Sequence, residues 1–524
     1  MDRPDKKPLS IAGAQAARRM DELAGQLYCL DPGLLMEDAA LAAFFLLRDS
    51  GYLVPGSTVF ILCGGGNNGG DGLALARLLY ARQFTTVVVM ACDPDEKSLC
   101  GIQKKRFESM GTKCLSAETF LEHPGAAESC GIIVDALLGT GLSRKPEGVY
   151  RALVDWINGH KAFTLSLDIP SGLDSDTGEA SGVCVKADAT LCFGILKKGL
   201  LLNDGCRNSG RLGFSPLSFT QYMPVGGVSS FLNEPLPLAA RAPDGHKGTF
   251  GKILTVAGSS QYRGAPGFAA LSVLKGGAGI SVLACPESIA SSMTVWCPEL
   301  VILPLPENGG HINKDAGDQI LKAMTGIKGM ILGPGLSVGT GPEAVIRQLT
   351  IHADCPLLID GDALTVLSGC PDLISGRKAL TALTPHPGEL ARLLDTSVNN
   401  IESDREKAVK EAVDRFNCPV ILKGHRTLIG FPDGSIFWNL TGNSGMATAG
   451  TGDILSGLVM GLYSVGNSWE TALLAGVYIH GLAGDLAASE TGQDSLMATD
   501  LLRNLSKALQ QYRNGDTTPL VSTF

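Results

Sequence analysis

Residues 58–82 read TVFILCGGGNNGGDGLALARLLYAR. A threonine and five apolar residues, a strand-like run, lead directly into a glycine-rich stretch, and an apolar helical pattern follows over 73–82. Strand, glycine turn and helix in that order open a strand–helix–strand crossover, which implies a parallel sheet covered by helices. The pattern repeats in the runs TTVVVMA (85–91), GIIVDAL (131–137), AFTLSLD (162–168) and ATLCF (189–193). After Pro216 it lapses into a stretch rich in Pro, Gly and Ser, read as a linker with the boundary between 225 and 240. A second series follows: KILTVA (252–257), ISVLAC (280–285), GMIL (329–332), PLLID (356–360), LTALT (380–384) and PVILK (419–423). Helical patterns dominate from 453 to 512, ahead of a polar tail expected to fray. The two series share no repeat, so two different α/β domains are expected, over 1–225 and 226–524.

Composition agrees with two domains, because 524 residues exceed one ordinary core. Lys and Arg number 43 against 52 Asp and Glu, and the resulting net charge of −9 argues against a nucleic-acid surface. Residues 1–10 are polar and the nearest apolar run, 41–47, is too short to span a bilayer, so a soluble, cytoplasmic protein with no membrane partner is expected. The fourteen cysteines form no CxxC pair, which fits reduced, mostly buried thiols. No HxH or HxxxH spacing supports a zinc site. A homo-oligomer is expected.

In the first half, Gly64, Gly66 and Gly69 satisfy GxGxxG and Asp93 ends the next strand, so a Rossmann dehydrogenase is one reading. Asn67, Asn68 and Asp71 crowd that turn with oxygens that a pyrophosphate loop does not need. Asp135 lies in the third strand run and precedes a second glycine loop, Gly139, Thr140, Gly141, Leu142, Ser143, Arg144, Lys145. Asp168 ends the fourth strand and leads into IPSGLD. Three polar loops at strand carboxyl ends define one crevice.

The segments LLMEDAA (34–40), NNGGDG (67–72), DALLGTGL (135–142), LDIPSGLD (167–174) and ADATLCFGILKKG (187–199) resemble the NAD(P)H-hydrate epimerases, across residues 8–216. The resemblance implies a Rossmann-like three-layer α/β/α fold and a potassium ion held by Asn68, Asp135 and Ser171. It implies substrate contacts from Asn67, Asn68, Gly69, Gly70 and Asp71 and from the loop 139–145, with Asp168 as acid/base. Asp38 and Gly65 depart from the asparagine and proline usual in that family.

In the second half, TGNSGMATAGTGDILSG (441–457) sets Asp453 where a glycine turn meets a helix. Unpaired backbone N–H groups there cradle phosphate, and the carboxylate sits within reach of a reacting hydroxyl. The other reading is a simple N-cap for the helix 454–462. GAPG (264–267), GPGL (333–336), DGDAL (360–364), TPHPGE (384–389) and KGHRT (423–427) surround it in sequence as loops beside strands. His386, between two prolines, is read as a ligand contact or as purely structural. Glu389 is read as an early-helix carboxylate, and Lys423 as a phosphate contact or a surface lysine.

This set, with HGLAGDLAA (480–488) and ATDLL (498–502), resembles the ADP/ATP-dependent NAD(P)H-hydrate dehydratases, a ribokinase-like family, over roughly 241–512. The resemblance implies that Ala265, Gly335, His386 and Asp453 contact the hydrated dinucleotide. Lys423, Gly424, His425, Arg426, Thr427 and Gly452 would bind the adenine nucleotide. DGDAL in place of DADAL, and Ala449 in place of glycine, are departures. The two resemblances together imply repair of NADHX and NADPHX, with ADP as phosphoryl donor and potassium in the first domain; magnesium is expected with the nucleotide, and the sequence shows no clear ligand pair for it. A ribokinase-like small-molecule kinase fused to a dinucleotide-binding domain is the other enzymatic reading. A dinucleotide sensor without turnover is a third.

Overall fold

The computed structural model describes residues 8–122, 131–141, 145–180, 182–218, 226–516 and 521–523. The chain divides into two compact units, Met1–Ser229 with Pro519–Phe524, and Ser230–Thr518.

The first unit holds a parallel sheet. Its strands run in the order Val521–Thr523, Arg211–Ser215, Ala189–Phe193, Phe163–Leu167, Ile132–Ala136, Thr58–Cys63, Thr85–Met90, Leu115–Ser116. Alternation along the strand Thr58–Cys63 explains the layering. Val59, Ile61 and Cys63 pack under the helices Pro32–Asp49 and Asn67–Ala81, whereas Phe60 and Leu62 pack against the helices Ala117–Glu122 and Gly148–Gly159. A strand buried on both faces has to be apolar, as the five buried residues VFILC are, with partly buried Thr58 at the entry. Truncating Leu62, which is fully buried, to alanine costs about 2–5 kcal/mol.

Chain order reverses at this strand. The helix Asn67–Ala81 carries the chain to Thr85–Met90 on one side, while Ile132–Ala136 pairs on the other. Such a switch point opens a crevice beyond the strands' carboxyl ends. Here it brings the glycine turn beside the loop after Ile132–Ala136, with the Gly64 N–H donating to the Ala136 carbonyl at 3.0 Å.

The second unit repeats the principle with different topology. Seven parallel strands run Val301–Leu305, Ile280–Pro286, Lys252–Val256, Gly329–Leu332, Leu357–Ile359, Thr381–Leu383, Val420–Leu422. Antiparallel Leu428–Gly430 and Ile436–Trp438 extend them, and Ser230–Leu232 pairs with the last. Order reverses between Lys252–Val256 and Gly329–Leu332, and the Gly258 N–H reaches the Pro334 carbonyl at 2.8 Å there. Ile253, Ile331, Leu358 and Ile421 present one apolar face to Leu455 and Val459 of the helix Thr451–Ser464 and to Leu473 and Val477 of the helix Trp469–Thr491. That last helix is long and apolar enough to cross a membrane, yet 67% of its most apolar window is buried inside the protein.

Three sequence expectations differ from the structure. The segment read as linker contains the strand Ser230–Leu232, three residues that follow no helix among those described. The helix read over 73–82 begins at Asn67, so the glycine-rich stretch is its first turn as well as the turn before it. Val521–Thr523, in the tail expected to fray and assigned by sequence to the second domain, pairs with Arg211–Ser215 of the first unit.

Candidate active sites

A cavity of about 540 Å³ lies at the switch point of the first unit. Asn67, Asn68 and Asp71 line it from the first turns of their helix, Gly139, Thr140 and Gly141 from the facing loop, and Asp168 from the end of its strand. Gly69 and Gly70 are not among the lining residues and are tightly packed: a Cβ at Gly69 would stand 1.9 Å from the Gly64 carbonyl oxygen, and one at Gly70 would meet Met36 at 2.5 Å. Lys145 is exposed and lies outside the cavity lining, and Leu142, Ser143 and Arg144 lie outside the described residues.

Asp168 has a left-handed backbone, φ +67°. That conformation costs an ordinary side chain about 1–2 kcal/mol, and short polar residues tolerate it best. The Asp168 carboxylate is paired with Lys197, whose ammonium also donates to the Phe193 carbonyl at 2.6 Å. Burial alone would depress the Lys197 pKa, but the carboxylate beside it wins and raises it above the ordinary lysine value. Burial, with the Asp168 and Asp21 carboxylates near, pushes the Asp71 carboxyl well above its usual range. Lys197 and Asp21 also line the cavity, and sequence reading passed over both. The available signal was a lysine inside the otherwise apolar run LCFGILK.

Behind the cavity, Asp135 is fully buried. Its Oδ1 accepts from the Ser171 hydroxyl at 2.6 Å, and its Oδ2 accepts from the Ser166 hydroxyl and the Ser171 N–H, each at 2.8 Å. Burial raises the Asp135 pKa, and these hydrogen bonds only partly offset it. Asn68 donates to the Leu138 carbonyl at 3.1 Å, whereas its own Oδ1 is buried with no partner among the described residues. A buried carboxylate satisfied by neutral donors, near an orphaned amide oxygen, is a donor set suited to a hard monovalent cation.

In the second unit, Gly450 (φ +95°) caps the helix Thr451–Ser464 from the left-handed region, where a Cβ would also meet Phe268 and Ala498. Asp453 is therefore the third residue of that helix, not its N-cap, which removes the simple capping reading. Burial first, then the Asp360 carboxylate, raises the Asp453 carboxyl to about 7, against a lowering pull from Lys423.

Lys423 is committed to carboxylates. Its Nζ lies 2.8 Å from Asp360 Oδ1 and 3.8 Å from Glu389 Oε2, while the Ser456 hydroxyl donates to Asp360 Oδ2 at 2.6 Å. A Cβ on Gly452 would stand 3.3 Å from the same Nζ, so the ammonium sits under the glycine turn. The surface-lysine reading is thereby excluded. His386 caps the helix Pro387–Leu394: its Nδ1 accepts from the Gly388 and Glu389 N–H groups at 3.0 and 3.3 Å, and the Glu389 carboxylate accepts from the His386 N–H at 2.7 Å. This capping box gives His386 a structural role and leaves Nε2 facing Glu389 Oε1 at 3.4 Å. Glu389, raised to about 7 chiefly by burial, belongs to the same charged cluster. Ala265 and Gly335 meet across the switch point, a Cβ on Gly335 lying 3.2 Å from that of Ala265.

Lys423, Gly424, His425, Arg426, Thr427 and Gly452 together line a cavity of about 410 Å³, closed on its other side by residues 439–444 and by His480. Sequence reading missed Asp360, Ser456 and His480 as parts of this centre.

Each unit thus presents a cavity of mixed polar and apolar lining at the carboxyl ends of parallel strands, with a carboxylate fixed beside a glycine turn, and together they make a two-centre α/β enzyme. A family model described as NAD(P)H-hydrate dehydratase matches residues 253–507, and one described as YjeF-related protein N-terminus matches 33–199. The bifunctional NAD(P)H-hydrate repair enzyme Nnr of Thermofilum pendens is 39% identical over 512 residues, covering 96% of this chain and 97% of that protein. Its counterpart in Escherichia coli K12 is 33% identical, covering 96% and 95%. Among solved structures, the ADP/ATP-dependent NAD(P)H-hydrate dehydratase of Bacillus subtilis, co-crystallized with ATP/Mg2+, is 29% identical over 53% of this chain and 95% of that one, at a TM-score of 0.47. The chain belongs to the family of bifunctional NAD(P)H-hydrate repair enzymes.

Proposed function

We propose that the first unit interconverts the two C6 epimers of hydrated NADH and NADPH, and that the second dehydrates the S epimer with ADP as phosphoryl donor. The observation that carries this reading is Asp453, a carboxyl raised to about 7 in the first turn of a helix entered through a glycine turn. Hydroxide is a poor leaving group. Transfer of the terminal phosphoryl group of ADP to the C6 hydroxyl releases AMP and gives a phosphate ester. Loss of phosphate from C6 with a proton from C5 then restores the ring double bond. Asp453 takes the hydroxyl proton, and the turn's N–H groups hold the transferring phosphoryl group. Lys423, held by Asp360, keeps the cluster of carboxylates from repelling the nucleotide. In the first unit, Asp168 moves the proton at the ring and Lys197 fixes its carboxylate.

Magnesium supplies charge neutralisation on the phosphates when bound. No group of three His, Cys, Asp or Glu side chains forms a cage among the described residues, so they fit an ion carried in by phosphate oxygens and water. Potassium, held by Asn68, Asp135 and Ser171, would screen the buried carboxylate. Asp135→Ala is expected to weaken epimerisation at least tenfold and to abolish potassium-dependent thermal stabilisation, read by melting curves in potassium, sodium and a bulky organic cation. Identical curves for the wild-type protein in all three would remove the ion from the mechanism.

The deciding assay supplies hydrated NADH with ADP, ATP or no nucleotide and follows NADH absorbance. Nucleotide-dependent recovery of NADH is expected, with both epimers consumed. A stable phosphorylated product would indicate the small-molecule kinase, and binding without turnover a sensor.

A further inference from the structure

The helix Trp469–Thr491 lines the 410 Å³ cavity with Val477, His480 and Gly481, and two of its polar side chains hold neighbouring segments of the lining. His480 Nε2 lies 2.8 Å from the carbonyl oxygen of Thr451, the first residue of the helix that carries Asp453. A carbonyl only accepts, so the ring proton is on Nε2. Burial pushes the His480 pKa down to about 4, which keeps that tautomer neutral at ordinary pH. Thr451 is held from below as well, its hydroxyl lying 3.0 Å from the Met446 and Thr448 carbonyls. One turn further along, Asp485 accepts from the Gly442 N–H and from Asn443 Nδ2, both at 2.9 Å.

Between these two contacts the helix meets the loop through Gly481 and Gly484. A Cβ at Gly481 would stand 2.2 Å from Thr441 Oγ1, and one at Gly484 would stand 2.2 Å from Met446 Sδ. The wall of the cavity is therefore seated directly on the helix backbone. One rigid element thus fixes both the amide turn and the loop across from it.

We propose that His480 is a positioning residue for phosphoryl transfer: by donating to Thr451 it sets the orientation of the Gly450–Thr451–Gly452 amides and of Asp453, and so acts through them. The inference rests on the dehydratase reading of this centre. Misplacing a reacting group by about 1 Å costs on the order of 100-fold in rate. A donor holding the turn is therefore expected to act on kcat, whereas a residue that only fills space would act on stability.

The test compares His480→Phe, which keeps the ring and loses the donor, with His480→Gln, which keeps an N–H. His480→Met replaces the phenylalanine variant if the larger ring prevents folding. At saturating ADP and substrate the donor-less variant is expected to lose about 10- to 100-fold in kcat, with KM for hydrated NADH little changed. His480→Gln should recover most of that loss. Amide hydrogen exchange at residues 450–453, read without substrate, should quicken in the donor-less variant and stay near wild type in His480→Gln. Wild-type kcat in the donor-less variant, equal impairment of both variants, or unaltered exchange at 450–453 would each overturn the proposal. A wild-type protein that makes no NADH with ADP or ATP would instead overturn the dehydratase reading, and the exchange comparison would still decide the role of His480 in the turn.

Discussion

Asp453→Asn is expected to stop dehydration while leaving ADP binding largely intact. The side chain is in the first turn of the helix Thr451–Ser464, and an amide fills the same space without disturbing the N–H groups that meet phosphate. What is lost is the base. General-base catalysis contributes about 10²- to 10⁴-fold, or roughly 3–5 kcal/mol of barrier, so NADH formation at saturating ADP should fall by that factor. Calorimetric titration of ADP should change little. Near-normal dehydration by this variant would reduce Asp453 to a local helix-terminus charge.

The pH profile gives an independent reading. The Asp453 carboxyl is raised to about 7, mainly because the charged form is buried near the Asp360 carboxylate. A base has to be deprotonated, so wild-type dehydration should climb as pH rises through about 7. Stability moves the other way at this residue. The native carboxyl holds its proton between 3.8 and about 7 while the unfolded one does not, so Asp453 withdraws stability as pH rises through that window. Asp453→Asn should therefore remove the rise in rate and match or exceed wild-type thermal stability above pH 7.

Asp168→Asn is expected to abolish epimerisation, again by about 10²- to 10⁴-fold, and to spare turnover of the S epimer. Its structural cost differs sharply from that of Asp453→Asn. Lys197 is 3% exposed and ion-paired with this carboxylate, and removing one partner of a buried pair destabilises by about 3–5 kcal/mol. The first unit of the variant should melt well below wild type. Replacing Lys197 by methionine in the same chain should recover much of that stability and none of the activity. If the double variant regained epimerisation, Asp168 would be a partner for Lys197 and nothing more. Equal impairment on R and S epimers would contradict separate sites.

The sheets were legible because strands such as Thr58–Cys63 and Ala189–Phe193 are buried on both faces, and a continuous apolar run between glycine loops has few other meanings. The loops were legible for the same reason, since strand ends mark the crevice. Leu428–Gly430, Ile436–Trp438 and Ser230–Leu232 were not, because among the described residues none follows a helix, and that alternation is what made the equally short Leu357–Ile359 and Val420–Leu422 readable. Partnerships across the chain were hidden altogether. Lys197 lies 29 positions from Asp168, and Ser456 lies 96 positions from Asp360. Nothing local to either residue announces the other. For His386 the sequence left a ligand contact and a structural role open, and it could not show that Nδ1 caps its own helix's first turn while the ring stays half exposed.

The pairing of Val521–Thr523 with Arg211–Ser215 makes the second unit an insertion within the first. During synthesis the first unit's sheet therefore waits, with Arg211–Ser215 as an open edge, until the whole second unit has left the ribosome. An unpaired edge strand is a template for pairing with other chains. Cutting the gene after Ser229 to obtain the first activity alone would leave that edge open permanently, and only a fragment carrying Val521–Thr523 could close it.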